Sequence, residues 1–276
     1  MTIEKARAHA VAKPWGRAGL SPWSTIDTGC ETIGEVWFDR AEPGGRPTAL
    51  LVKLLFTTRP LSIQVHPDDA RARALGLANG KTEAWYVLAA EEGAEVCLGP
   101  RIAIDEATLR AAIADGSIVD LVAHRPVRAG DAVFVPAGTI HAIGPGLVVA
   151  EIQQRSDTTF RLFDHGSDRA LHIDEAVAAA RLEPVAPTAP PEPLDAESTR
   201  LVACPRFVID RLALPAGGRR PIVAGAETWL LVVAGEIRIG EISAAVGDAV
   251  LLATEEAVLE AGTEGAVVLE ARLPTP

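Results

Sequence analysis

Residues 128–154, RAGDAVFVPAGTIHAIGPGLVVAEIQQ, break every few positions at glycine or proline, with short β-branched and apolar runs between the breaks. A helix of ordinary length does not fit between such breaks, because glycine and proline interiors cost about 1 and 3 kcal/mol per residue. Short strands closed by Gly and Pro turns are the pattern of β-barrels and jelly rolls. The same grammar runs through much of the chain. TALLVKLLF (48–56) reads as a buried strand that passes through TTRP into LSIQV. TEAWYVLAA reads as another, with Glu83, Trp85 and Val87 on one face, since strand side chains alternate. Helices are few and short. DDARARALG is capped by Asp68 or Asp69 and stopped at Gly76. IDEATLRAAIADG is capped near Asp105 and closed by Gly116, and DEAVAAARL starts at Asp174.

Organisation follows from composition. EPVAPTAPPEP, from Glu183, is too rich in proline for regular structure and reads as a linker, giving a first domain over 1–182, a linker over 183–199 and a β module over 200–276. The module contains no histidine. Its GEIRIGEISAAVGDAVLLA echoes RAGDAVFVPAG in the first domain, which suggests a second barrel of the same type without the chemistry. A net charge of -11 with no basic run argues against nucleic acid as a partner. No segment reaches the roughly 20 apolar residues of a membrane helix, so no membrane partner is expected. Cys30, Cys97 and Cys204 are odd in number and widely spaced, which fits neither a disulfide framework nor a thiolate metal site and points to the cytoplasm.

The chemistry concentrates in LSIQVHPDD. Gln64 and His66 share one strand face while Ile63 and Val65 take the other, so a polar pair stands in an apolar run. With Glu83 on the next long strand and His141 in PAGTIHAIG, the chain offers two imidazoles, a carboxylate and an amide oxygen. That is a donor set for a divalent metal, zinc first, with iron, manganese and nickel able to accept the same atoms. His9, His124, His165 and His172 match no ligand position, and Trp85 reads as core or pocket wall.

Several motifs occur in a fixed order: PWG at 14–16, IGEVW at 33–37, QVHPDD, GKTEAWY, GDAVFVPAGTIHAI, EIQQRSDTTFRLFD and LHIDEA. In this succession the first two thirds of the chain resembles the type I mannose-6-phosphate isomerases, a zinc-dependent cupin family. The resemblance implies a mainly β fold: a cupin jelly-roll barrel with a few short helices, followed by a degenerate cupin-like module. It implies one zinc per chain on Gln64, His66, Glu83 and His141, a site arginine at Arg161, a site lysine at Lys81 and a pocket carboxylate at Glu151. It implies a small phosphorylated sugar as substrate. The reaction is then interconversion of mannose 6-phosphate and fructose 6-phosphate through an enediol. One departure bears on the substrate: IGEVW is followed by Phe38, Asp39 and Arg40 rather than by a hydroxyl residue and a histidine, so Arg40 is a candidate phosphate contact and free mannose an alternative substrate. Two further classes share these residues. A cupin oxygenase uses two histidines and a carboxylate, although Gln64 fills a position that dioxygen chemistry needs open. A sugar-binding module without turnover is the other.

Overall fold

The computed structural model describes residues 2–42, 44, 47–223, 227–253 and 256–274. The fold is mainly β, built from antiparallel sheets with four short helices among the described residues, and it is cupin-like. Two compact units form: Met1–Lys13, Ala18–Leu54 and Ala189–Pro276 make one, and Pro14–Arg17 with Leu55–Thr188 make the other. The units therefore do not part at residues 183–199 alone, because the amino-terminal 54 residues, apart from Pro14–Arg17, group with the carboxy-terminal strands. Backbone pairing shows why: Thr2–Lys5 hydrogen-bonds along Ala249–Ala253 and covers what would be an open sheet edge.

The unit from Leu55 to Thr188 is a sandwich of two sheets. One orders Phe160–Phe163, Ile63–Val65, His141–Ile143, Glu95–Pro100 and Val122–Pro126 side by side. The other places Glu83–Ala90 between Leu147–Gln154 and Ala132–Val135. Strand alternation sorts the side chains. Ile63, Val65, Cys97 and Ala142 face outward onto Leu109, Ala112 and Ile113 of the helix Glu106–Asp115 and onto Ala176 and Val177 of Ile173–Ala179. Val96, Leu98 and Ile143 face inward and meet Trp85, Val87, Val133, Val135 and Val149 of the other sheet. Gln64, His66 and Glu83 belong to these inward sets by parity, so polar atoms enter a largely apolar interior at one end of it.

Helix boundaries agree with the capping signals. Asp68 accepts from Arg71 N at the start of Asp69–Ala74, Asp105 accepts from Thr108 N, and Gly116 closes the second helix at φ +81°. The proline-rich segment is docked rather than free: Val185 O accepts from Arg125 Nη2 at 2.5 Å, Thr188 Oγ1 accepts from Phe134 N at 2.8 Å, and Glu192–Pro193 pairs with Thr199 and Arg200.

In the other unit the long strands Thr228–Ile239 and Ala257–Arg272 form the centre of a nine-stranded sheet around Leu230, Val232, Val250, Leu252 and Val268. The sequence echo is a structural one. Asp131 accepts from Arg128 N and its carbonyl bonds Val87 N, while Gly130 N bonds Val87 O. Asp248 does the same with Ala245 N and Val232 N, and Gly247 N bonds Val232 O. Gly247 is obligatory there, since a Cβ would lie 2.1 Å from Trp23 O. By this equivalence Thr228, opposite Leu252, occupies the strand position that Glu83 holds opposite Val135. This unit therefore repeats the turn with a threonine where the other has a carboxylate.

Candidate metal centre

Register assembles the site. His141 lies directly opposite Gln64, and Gln64 directly opposite Arg161, on three neighbouring strands of one sheet. Glu83 and Glu151 come from the facing sheet, where Glu151 is opposite Trp85 and Gln153 opposite Glu83. His66, Glu83 and His141, each 1% exposed, bring ligand atoms within 4.8 Å of one another.

Each imidazole is held by its Nδ1, which donates to a backbone carbonyl: His66 to Thr158 O at 2.9 Å and His141 to Thr139 O at 2.9 Å. That fixes the tautomer and leaves both Nε2 lone pairs turned into the cluster. His66 Nε2 is 3.4 Å from Glu83 Oε2, and His141 Nε2 is 3.3 Å from Glu83 Oε1. Burial, reinforced by the Lys81 ammonium, pushes His66 down to about 3, and burial also holds His141 below its ordinary value. Both rings are neutral near pH 7, the form that binds a metal. Burial alone would raise the Glu83 carboxyl, but the Lys81 ammonium beside it outweighs burial and holds it well below the usual carboxylate range.

Lys81 is buried, with Nζ 2.9 Å from Glu83 Oε2 and 3.1 Å from His66 Nε2. Its place is set by a small network: Lys81 N donates to Pro67 O, Gly80 N to Asp69 Oδ1, and Gln154 bridges Asp69 Oδ1 to Thr82 N. Gln64 turns its amide nitrogen toward His141 Nε2 at 3.3 Å and its oxygen toward Ser62 Oγ at 3.1 Å. Arg161 is half-buried; Nη1 donates to Ala170 O at 2.8 Å, while its buried Nε has no hydrogen-bond partner. Arg40 belongs to the other unit, where Nε donates to Glu4 Oε1 at 2.8 Å.

The donor set fits a divalent cation. Glu83 Oε2 already faces one cation, the Lys81 ammonium, and three neutral or anionic donors converge on the same small space. Sequence reading missed Trp85, whose indole Nε1 stands 3.2 Å from Glu83 Oε1 and 3.3 Å from Glu151 Oε1. The alternation that puts Trp85 on the face of Glu83 was visible in TEAWYVLAA; the partner across the sheet was not.

No protein-family model matches the chain. A mannose-6-phosphate isomerase of Streptococcus mutans is 35% identical over 235 residues, covering 71% of this chain and 74% of that protein. The probable mannose-6-phosphate isomerase GmuF of Bacillus subtilis is 39% identical over 158 residues, 53% of this chain and 50% of that protein. Among solved structures, the mannose 6-phosphate isomerase from Bacillus subtilis overlays with a TM-score of 0.86 at 24% identity, across 99% of this chain and 100% of that one. The apo phosphomannose isomerase from Salmonella typhimurium overlays with a TM-score of 0.76 at 17% identity, which extends the likeness of fold over all of both chains. With the buried histidine and glutamate cluster on facing sheets and a relative aligned over about three quarters of its own length, the chain belongs to the mannose-6-phosphate isomerase family.

Proposed function

We propose that this chain is a zinc-dependent aldose-ketose isomerase that interconverts mannose 6-phosphate and fructose 6-phosphate. The observation that carries the reading is the convergence of His66, Glu83 and His141 in a chain of this family. Gln64 completes the ligand set, because a half-turn of its amide exchanges nitrogen and oxygen and presents Oε1 to the cluster. A divalent cation bound there, zinc by preference for nitrogen and oxygen donors, supplies Lewis-acid polarisation of the sugar carbonyl.

The residues divide the remaining work. Isomerisation removes a proton at C2 of the open-chain aldose and returns it at C1, with negative charge developing on the adjacent oxygens. Glu151, buried and held by the Trp85 N–H, is the carboxylate we assign to that transfer. Arg161 stabilises the developing charge through a guanidinium whose Nε is uncommitted. Lys81 keeps Glu83 ionised and adds positive potential for an anionic sugar in a chain of net charge -11. We infer that catalysis lies in the unit formed by Pro14–Arg17 and Leu55–Thr188, which carries His66, Glu83, His141 and Glu151, and that the protein works in the cytoplasm, where Cys30, Cys97 and Cys204 stay reduced. Among the described residues no helix is long and apolar enough to cross a membrane.

The test is a coupled assay of metal-quantified protein on mannose 6-phosphate, with and without chelator. Loss of turnover on chelation and recovery with zinc is the expected result. No turnover at one bound metal per chain sinks the substrate assignment and makes free mannose the next substrate to try.

A further inference from the structure

Trp85 touches three residues of the site at once. It is 2% exposed and opposes Glu151 across the sheet, and its ring packs edge-on to His141 with centroids 5.6 Å apart. Its single N–H lies between Glu83 Oε1 and Glu151 Oε1, at 3.2 and 3.3 Å. An indole has one proton and no acceptor, so this donor is shared between two carboxylates from neighbouring strands. We propose that Trp85 is a positioning residue that locks the metal-binding carboxylate Glu83 and the proton-transfer carboxylate Glu151 into one fixed arrangement through that shared N–H. The inference rests on the assignment of those two roles under Proposed function.

The physical argument is one of alternatives. With Oε1 of Glu83 facing the indole, Oε2 faces the Lys81 ammonium at 2.9 Å, so the N–H selects which oxygen meets which neighbour. With Oε1 of Glu151 facing the same proton, that carboxylate is oriented by the donor that also orients Glu83. Without the N–H, two buried carboxylates lose a common donor, and the Glu83 ligand loses the neighbour that orients it. Groups that orient a metal ligand are typically worth 10–100-fold in metal affinity or activity. The packing of the ring against His141 is a separate contribution, and any test has to keep it.

The experiment replaces Trp85 by 3-benzothienylalanine, which exchanges N–H for sulfur and keeps the ring shape, alongside Trp85→Phe. Zinc affinity is measured by competition with a chromophoric chelator, and kcat and KM are measured in the wild-type and Glu151→Gln backgrounds. A zinc dissociation constant raised about 10–100-fold, with a fall in kcat at nearly unchanged KM that largely disappears in the Glu151→Gln background, is the expected result. Zinc affinity and kcat both unchanged in the folded benzothienyl variant overturn the proposal. A kcat loss of equal factor with and without Glu151→Gln also overturns it, since that is the signature of general loosening. Wild-type protein that binds no zinc, or binds it and turns over no sugar, instead refutes the assignment on which the proposal rests.

Discussion

Replacing Gly80 by alanine probes how the site lysine is placed. The glycine does not occupy the left-handed region, so alanine can adopt its backbone conformation, and the loss of unfolded-state freedom alone favours the variant by about 0.4–1 kcal/mol. Space decides otherwise. The new Cβ would lie 2.5 Å from Pro67 O, 2.5 Å from the Asp68 carbonyl carbon and 2.7 Å from Asp69 N. These are backbone atoms at the start of Asp69–Ala74, and none can rotate away as a side chain would. Overpacking of this kind costs about 1–3 kcal/mol, and separating the strands of the turn also breaks the bond from Lys81 N to Pro67 O, about 1 kcal/mol more. Net of the unfolded-state gain, the expected destabilisation is about 1–3.5 kcal/mol, or a Tm lower by roughly 2–14 °C for a chain of this size. Because Lys81 is the next residue, a shift near 1 Å also moves its ammonium off Glu83 and His66 and should lower kcat about 100-fold. Thermal unfolding and steady-state kinetics on the same preparation measure both. A Gly80→Ala protein with wild-type Tm and kcat would falsify the steric account, because it would require three backbone atoms to yield at no cost.

Arg161→Ala removes a half-buried guanidinium that donates one hydrogen bond to the Ala170 carbonyl, so unfolding should change by less than about 1 kcal/mol while kcat falls about 100-fold or more; near-normal turnover takes Arg161 out of the mechanism. Glu35 is buried, which raises its carboxyl, but Lys53, Lys13 and the Trp37 N–H outweigh burial and hold it below the usual value of 4.5. Its stabilisation is therefore complete above about pH 4.5 and is lost as pH falls through the lower folded value. The urea midpoint of Glu35→Gln should lie below wild type at pH 7 and meet it in acid, and a gap of constant size across that range contradicts the ion cluster. Burial pushes the Cys97 thiol up to about 12 and also raises Cys204, whereas Cys30 is exposed. Iodoacetamide at pH 8 should label Cys30 first, read by peptide mass spectrometry; early label on Cys97 would contradict its burial.

Much of the site was legible in the chain because strand alternation is a local rule. LSIQVHP puts Gln64 and His66 together without reference to anything distant, and TEAWYVLAA does the same for Glu83 and Trp85. Capping at Asp68, Asp105 and Gly116 was equally local. The turn shared by Asp131 and Asp248 was legible as a phrase, although its meaning, a repeated strand pairing with Thr228 where Glu83 stands, needed the pairing partners Val87 and Val232.

Tertiary structure decided what local rules do not address. Register set His141 against Gln64 and Glu151 against Trp85, and register depends on how whole strands pair. It turned a tryptophan that reads as core into the donor between two carboxylates, and a lysine beside an Asn-Gly turn into a buried cation 2.9 Å from Glu83. It grouped Thr2–Lys5 with strands some 250 residues away, because an unpaired sheet edge is satisfied by whichever backbone reaches it. The sequence by itself determined which chemical groups the molecule carries and which strand face each one shares with its neighbours. Only the folded structure decided which faces meet, since that is fixed by long-range strand pairing and the burial of the apolar interior between two sheets.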